Sequence, residues 1–130
     1  MLTGKDYCDY ETCVALKELG YKGMSRFFYA TKESPLRRYS YDQILTTRIA
    51  DAVGHTLAIS LYVAQKWLRE EYNLHLEITY SPSCWTGKIY DLKEWDYIKG
   101  FTFFESFEET LHTLIKEAVK ILKENETIHE

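Results

Sequence analysis

His75 and Glu77 come closest to a catalytic arrangement in this sequence. They stand two apart in residues 74–80, where apolar and polar residues alternate. Alternation at period two places both side chains on one face of a strand, about 7 Å apart. An imidazole and a carboxylate at that spacing are the parts of a general acid–base pair. The solvated face of any half-buried strand has the same composition. A second set of residues is basic and aromatic. Arg37, Arg38 and Arg48 are interleaved with Tyr39 and Tyr41, and Trp85, Tyr90 and Trp95 follow further along. Guanidinium groups grip phosphate through two parallel hydrogen bonds, and flat rings stack on bases. These eight residues, with His75 and Glu77, form the expected binding set for a small anionic, nucleotide-like ligand. No glycine-rich phosphate loop accompanies them. The competing reading is an edge strand whose arginine stems lie along apolar surface, beside an aromatic core.

Other chemistries find less support. His55, His75, His112 and His129 occur at no spacing that suits a metal. Cys8 and Cys13 lack a second pair, so they read as buried thiols, and neither metal nor cofactor is expected. Cys84 sits in a Ser-, Pro- and Gly-containing stretch, which by itself provides none of the electropositive setting a reactive thiol needs.

The chain has 130 residues and a net charge of −4. That length fits one domain, expected over residues 1–124 with a polar tail at 125–130. The negative balance argues against long nucleic acid, whose binding depends on Lys and Arg neutralising phosphates. No apolar run approaches the roughly 20 residues of a membrane span, and the N-terminus lacks the pattern of a signal peptide. A cytoplasmic protein, in the host cytosol, is therefore expected, with its three cysteines reduced. The 11 tyrosines, with 6 Phe and 3 Trp, supply rings suited equally to a small core and to a binding surface.

Residues 60–80 organise the rest. Leu61, Ala64, Leu68 and Tyr72 recur at helical spacing, with Trp67 on the flank, and Asn73 suits a left-handed helix end. The period then changes to two, with Leu74, Leu76, Ile78 and Tyr80 on the buried side of a strand. Before this, a helix is predicted over 10–19, capped by Asp9 and stopped by Gly20, with Thr12, Ala15, Leu16 and Leu19 buried. A strand over about 25–30 and a short edge strand around Arg37–Arg38 follow. In 40–59 the apolar residues suit a helix begun by Ser40 or Asp42 and ended by Gly54, or one long helix bent there. Beyond the central strand, SPSCWTG reads as a loop, KIYDL and YIKGFTFF as strands, and KEWD as a turn. A last helix opens on a capping box of Ser106 and Glu109 and buries Leu111, Leu114, Ile115, Ala118 and Leu122. The fold class is α+β: an antiparallel sheet of three to four strands, with three to four helices mainly on one face.

The blocks CDYETCVALKELGY, SLYVAQKWLREEYNLHLEI and FESFEETLHTLIKEAVKIL resemble a group of small uncharacterised proteins encoded by gut Bacteroidales and their phages. The resemblance implies a phage or mobile-element setting and a compact α+β fold, and it implies no reaction. Trp67 and Ser106 match the group's pattern, and packing and capping account for both.

These readings converge on a non-enzymatic binding protein that sequesters a small nucleotide-like ligand or a host protein, in the second case to blunt a defence system. The alternatives are a small hydrolase using His75 and Glu77, and a homo-oligomeric assembly protein with aromatic residues at its interface. With all three cysteines present as thiols, adding a reductant should leave the melting temperature unchanged. A fall of several degrees would show a structural disulfide.

Overall fold

The computed structural model describes residues 4–39 and 44–129. The architecture is α+β, with the strands divided among three small antiparallel sheets. The chain divides after Ser60 into two compact units. Among the described residues, no helix is long and apolar enough to cross a membrane.

In the first unit, helix α1 (Tyr10–Glu18) begins where Asp9 accepts a hydrogen bond from the Thr12 N–H at 2.8 Å. It ends at Gly20, whose φ of 114° is open to glycine at little cost. Thr12, Cys13, Leu16 and Leu19 are buried, while Ala15, expected among them, is half-buried. Cys8 precedes the cap and Cys13 lies in the first turn, the two positions of a hydrophobic staple. Both are fully buried free thiols. The Cys13 thiol donates to the Cys8 carbonyl at 3.5 Å, and the Ile59 N–H donates to Cys13 Sγ at 3.4 Å. The side-chain hydrogen bond with Cys13, reinforced by burial, holds the Cys8 thiol well above its ordinary pKa.

The strand expected over 25–30 is two strands, β1 (Met24–Ser25) and β2 (Phe27–Tyr29). At the break, Ser25 Oγ accepts from the Phe27 N–H at 3.0 Å, a local bond that competes with the sheet. Strand β3 (Arg37–Arg38) forms the expected edge. Ser40, Tyr41 and Asp42 lie outside the described residues. Leu45 and Thr46, read as helical, instead form β4 (Leu45–Thr46), paired with β1. Thr46 caps helix α2 (Thr47–Ala52), its hydroxyl accepting from the Ile49 N–H at 3.3 Å. A threonine is disfavoured within a helix and favoured at its start, so the helix begins late. Gly54, at φ 78°, turns the chain after it, and β5 (Thr56–Leu57) follows in place of a continued helix. The three-stranded sheet has the order β3-β2-β5.

In the second unit, α3 (Leu61–Tyr72) passes into β6 (Leu74–Ser81) through Asn73 at φ 58°, the left-handed end expected there. Leu61, Ala64 and Leu68 are fully buried, and Trp67 is half-buried with its ring edge-on to Tyr72. Strands β7 (Cys84–Asp91) and β8 (Asp96–Phe104) complete a meander in the order β6-β7-β8. The stretch read as a loop is mostly strand. Ser81 pairs with Cys84, leaving only Pro82 and Ser83 in the turn. Helix α4 (Phe107–His129) is capped by Ser106, whose Oγ accepts from the Glu109 N–H at 3.1 Å, and continues over residues 125–129, expected as part of a tail. Leu111, Leu114, Ile115 and Ala118 are fully buried, and Leu122 is half-buried.

Gly87 explains why a glycine interrupts a strand. A Cβ built there would lie 2.8 Å from a Leu114 methyl, so only hydrogen lets α4 close onto β7. Gly87→Ala should destabilise the protein by about 1–3 kcal/mol through overpacking, read as a lower urea midpoint. A rise in stability would show that Leu114 has room to turn aside.

Candidate functional site

The first unit brings part of the basic and aromatic set together. Strand β2 pairs with β3 on one side and β5 on the other, and Phe28 is opposite both Arg37 and Leu57. Residues directly opposite share a face, as do residues two apart on one strand. Arg37, Tyr39, Phe28, Leu57 and His55 therefore share one face of this small sheet. The rings agree with that placement. Tyr39 stacks on Phe28 with centroids 4.2 Å apart and planes at 18°, and His55 stacks on Phe28 at 4.4 Å and 17°. The Tyr39 hydroxyl lies 3.4 Å from His55 Nδ1. Burial raises the Tyr39 phenol above its ordinary pKa, so it keeps its proton, and the His55 tautomer sets which of the two atoms donates. The backbone holds the same corner, with the Tyr39 N–H donating to the Arg26 carbonyl at 2.8 Å and the Ala58 N–H to that of Phe27 at 2.9 Å.

Arg38 is opposite Phe27 and so faces the other side of the sheet, where the Phe27 ring lies 5.0 Å from that of Tyr7. Arg48 is exposed on α2, and among the described residues no contact links it to the three rings. Tyr41 lies outside the described residues.

In the second unit the expected residues occupy three separate places. His75, Tyr90 and Tyr97 form a row across the outer face of the meander, with centroids 6.5 Å and 5.8 Å apart. Glu77 stands on that face directly opposite Lys88, an opposite-charge cross-strand pair. Trp85 is on the helix side, its ring 5.0 Å from Tyr80 and edge-on to Phe107 at 5.7 Å. Trp95 lies in the turn before β8 at φ 59° and is 86% exposed.

Phe28 and His55 are not in the binding set expected from the sequence. Nearly thirty residues separate them, and their contact depends on the register of strands only two or three residues long. The one local signal was His55 directly after the helix-ending Gly54. Among the described residues, no group of three or more His, Cys, Asp or Glu side chains is placed to hold a metal. Comparison with protein-family models, curated proteins and solved structures found no match to this chain.

Two substitutions separate the ring stack from the polar contact. Phe28→Ala should cost about 3–5 kcal/mol, because a largely buried ring that stacks on two others is lost. Tyr39→Phe should cost at most about 1 kcal/mol, since it removes only a long hydrogen bond. Equal losses on denaturant titration would mean that the hydroxyl, and not the stack, fixes His55.

Proposed function

We propose that the protein is a non-enzymatic binding protein of a phage or mobile element, and that it sequesters a small anionic, ring-bearing ligand of nucleotide type. The supporting observation is the stack of Tyr39 and His55 on Phe28, with the exposed Arg37 on the same sheet face. A base or similar ring extends the stack, which is worth about 1–3 kcal/mol per base. Arg37 supplies the fork for phosphate or carboxylate. Because the rings are held by strand pairing and by each other, little ordering is left to oppose binding.

A host protein is the second reading. It is supported by β8, an edge strand carrying Tyr97 and Phe103, which are 58% and 85% exposed. Interfaces are enriched in such aromatics.

Calorimetry with cyclic and linear nucleotides tests the first reading. Arg37→Ala should weaken binding at least about tenfold, or roughly 1.4 kcal/mol, and leave the melting temperature nearly unchanged. Arg37→Lys should weaken it too, because lysine lacks the fork. Arg38→Ala, on the opposite face, should have little effect. If no nucleotide binds more tightly than about millimolar, the small-ligand reading fails. Capture of a defined host protein, lost on Phe103→Ser, would then support the second.

A further inference from the structure

A hollow of about 350 Å³ opens in the first unit among Asp9, Tyr10, Glu11, Tyr29, Lys32 and Ser34. That volume lies at the lower end of the range for small-molecule sites. Its apolar corner is built from Tyr10 and Tyr29, with ring centroids 6.1 Å apart and planes at 88°. Tyr29 is nearly fully buried and fixed, its hydroxyl donating to the Cys8 carbonyl at 2.8 Å. The far wall is a closed turn. There the Ser34 N–H donates to the Thr31 carbonyl at 3.1 Å and the two hydroxyls lie 2.8 Å apart.

The charges select the ligand. The lining carries two carboxylates and one ammonium, a formal charge of −1. The start of α1 would welcome an anion, but Asp9 already accepts from Thr12 N there. Glu11 adds a second negative group, so an incoming anion meets repulsion. A cation is already present: Lys32 Nζ lies 3.5 Å from Glu11 Oε1, with both side chains well exposed. That distance exceeds the roughly 2.7–2.9 Å of a strong charged hydrogen bond, so the contact is loose. The Lys32 ammonium shows the charge that Glu11 accepts, on a tether that solvent readily displaces. Ring faces attract ammonium groups as well, most strongly alkylated ones that shed water easily.

We propose that this hollow is a binding site for a small organic ammonium ion, separate from the Arg37 face. Glu11 is its counter-ion, Tyr10 and Tyr29 are its aromatic walls, and Lys32 is an internal competitor.

Choline is a suitable probe, titrated calorimetrically against the full chain beside its uncharged analogue with carbon in place of nitrogen. Choline should bind saturably, with a dissociation constant at or below about 1 mM, and the analogue at least about tenfold more weakly. Glu11→Gln should weaken choline binding at least about fivefold, and Tyr10→Leu about threefold or more. Lys32→Met should tighten it about threefold or more by removing the competitor. Lys22→Met makes the same charge change at another exposed lysine and should do much less. All four positions are at least partly exposed, and unchanged melting curves would confirm folding. Equal binding of choline and its analogue would reduce the site to an apolar hollow and overturn the proposal. So would indifference to Glu11→Gln, weaker binding by Lys32→Met, or absence of choline binding by both the wild-type chain and Lys32→Met.

Discussion

Strand pairing on both sides of Phe27–Tyr29 is the constraint on which the first unit depends. Three residues bond to β3 along one edge and to β5 along the other. Strands this short gain little from their own ladders and are held by what packs on them. Here the packing is aromatic: Phe28 lies against Tyr39 and His55 on one face, and Phe27 against Tyr7 on the other. The register and the rings support each other. A slip by one residue would exchange the two faces, separating Arg37 from the stack and moving Arg38 towards it.

The start of α1 is anchored to the same region. Tyr29, at the end of β2, donates to the Cys8 carbonyl, while the Cys8 N–H donates to the Ile59 carbonyl. Cys8 and Cys13 fill the two staple positions with small, polarisable side chains. The side-chain hydrogen bond with Cys13, together with burial, holds the Cys8 thiol well above its ordinary pKa, which suits a packing role and makes it a poor nucleophile. The hollow beside Tyr10 and Tyr29 has one rigid wall for this reason, since the Tyr29 ring is tied at both its backbone and its hydroxyl.

The second unit follows a different rule. Long ladders and two amphipathic helices carry it, and the tightest point is hydrogen against methyl, Gly87 beneath Leu114. Lys99 reaches from β8 to Glu117 of α4 at 2.8 Å and binds the edge strand to the helix. Polar and aromatic residues remain on the outer face, which explains why His75 and Glu77 resembled an acid–base pair in the sequence while having ordinary sheet neighbours.

The sequence by itself determined the α+β class and the elements with long, clean periods: α1, α3 with its Asn73 end, β6, and α4 with its Ser106 cap. Each of these repeats an apolar spacing over several turns or pleats, so the local pattern follows the buried face, except at the end of β6, where Tyr80, expected on the buried side, is 61% exposed. Apart from the edge strand at Arg37–Arg38, tertiary structure decided the elements of two to six residues. Nothing local distinguishes Leu45–Thr46 as strand from the start of a helix until Met24–Ser25 lies beside it. Likewise, Ser, Pro and Gly after Tyr80 read as a loop because the need for Gly87 lies in Leu114, which is 27 positions away. The binding set divided for the same reason. Residue types identified Arg37 and Tyr39 as candidates, but which of two adjacent arginines shares a face with the rings depends on register. Register is a property of the partner strands, and the chain near Arg37 does not contain them.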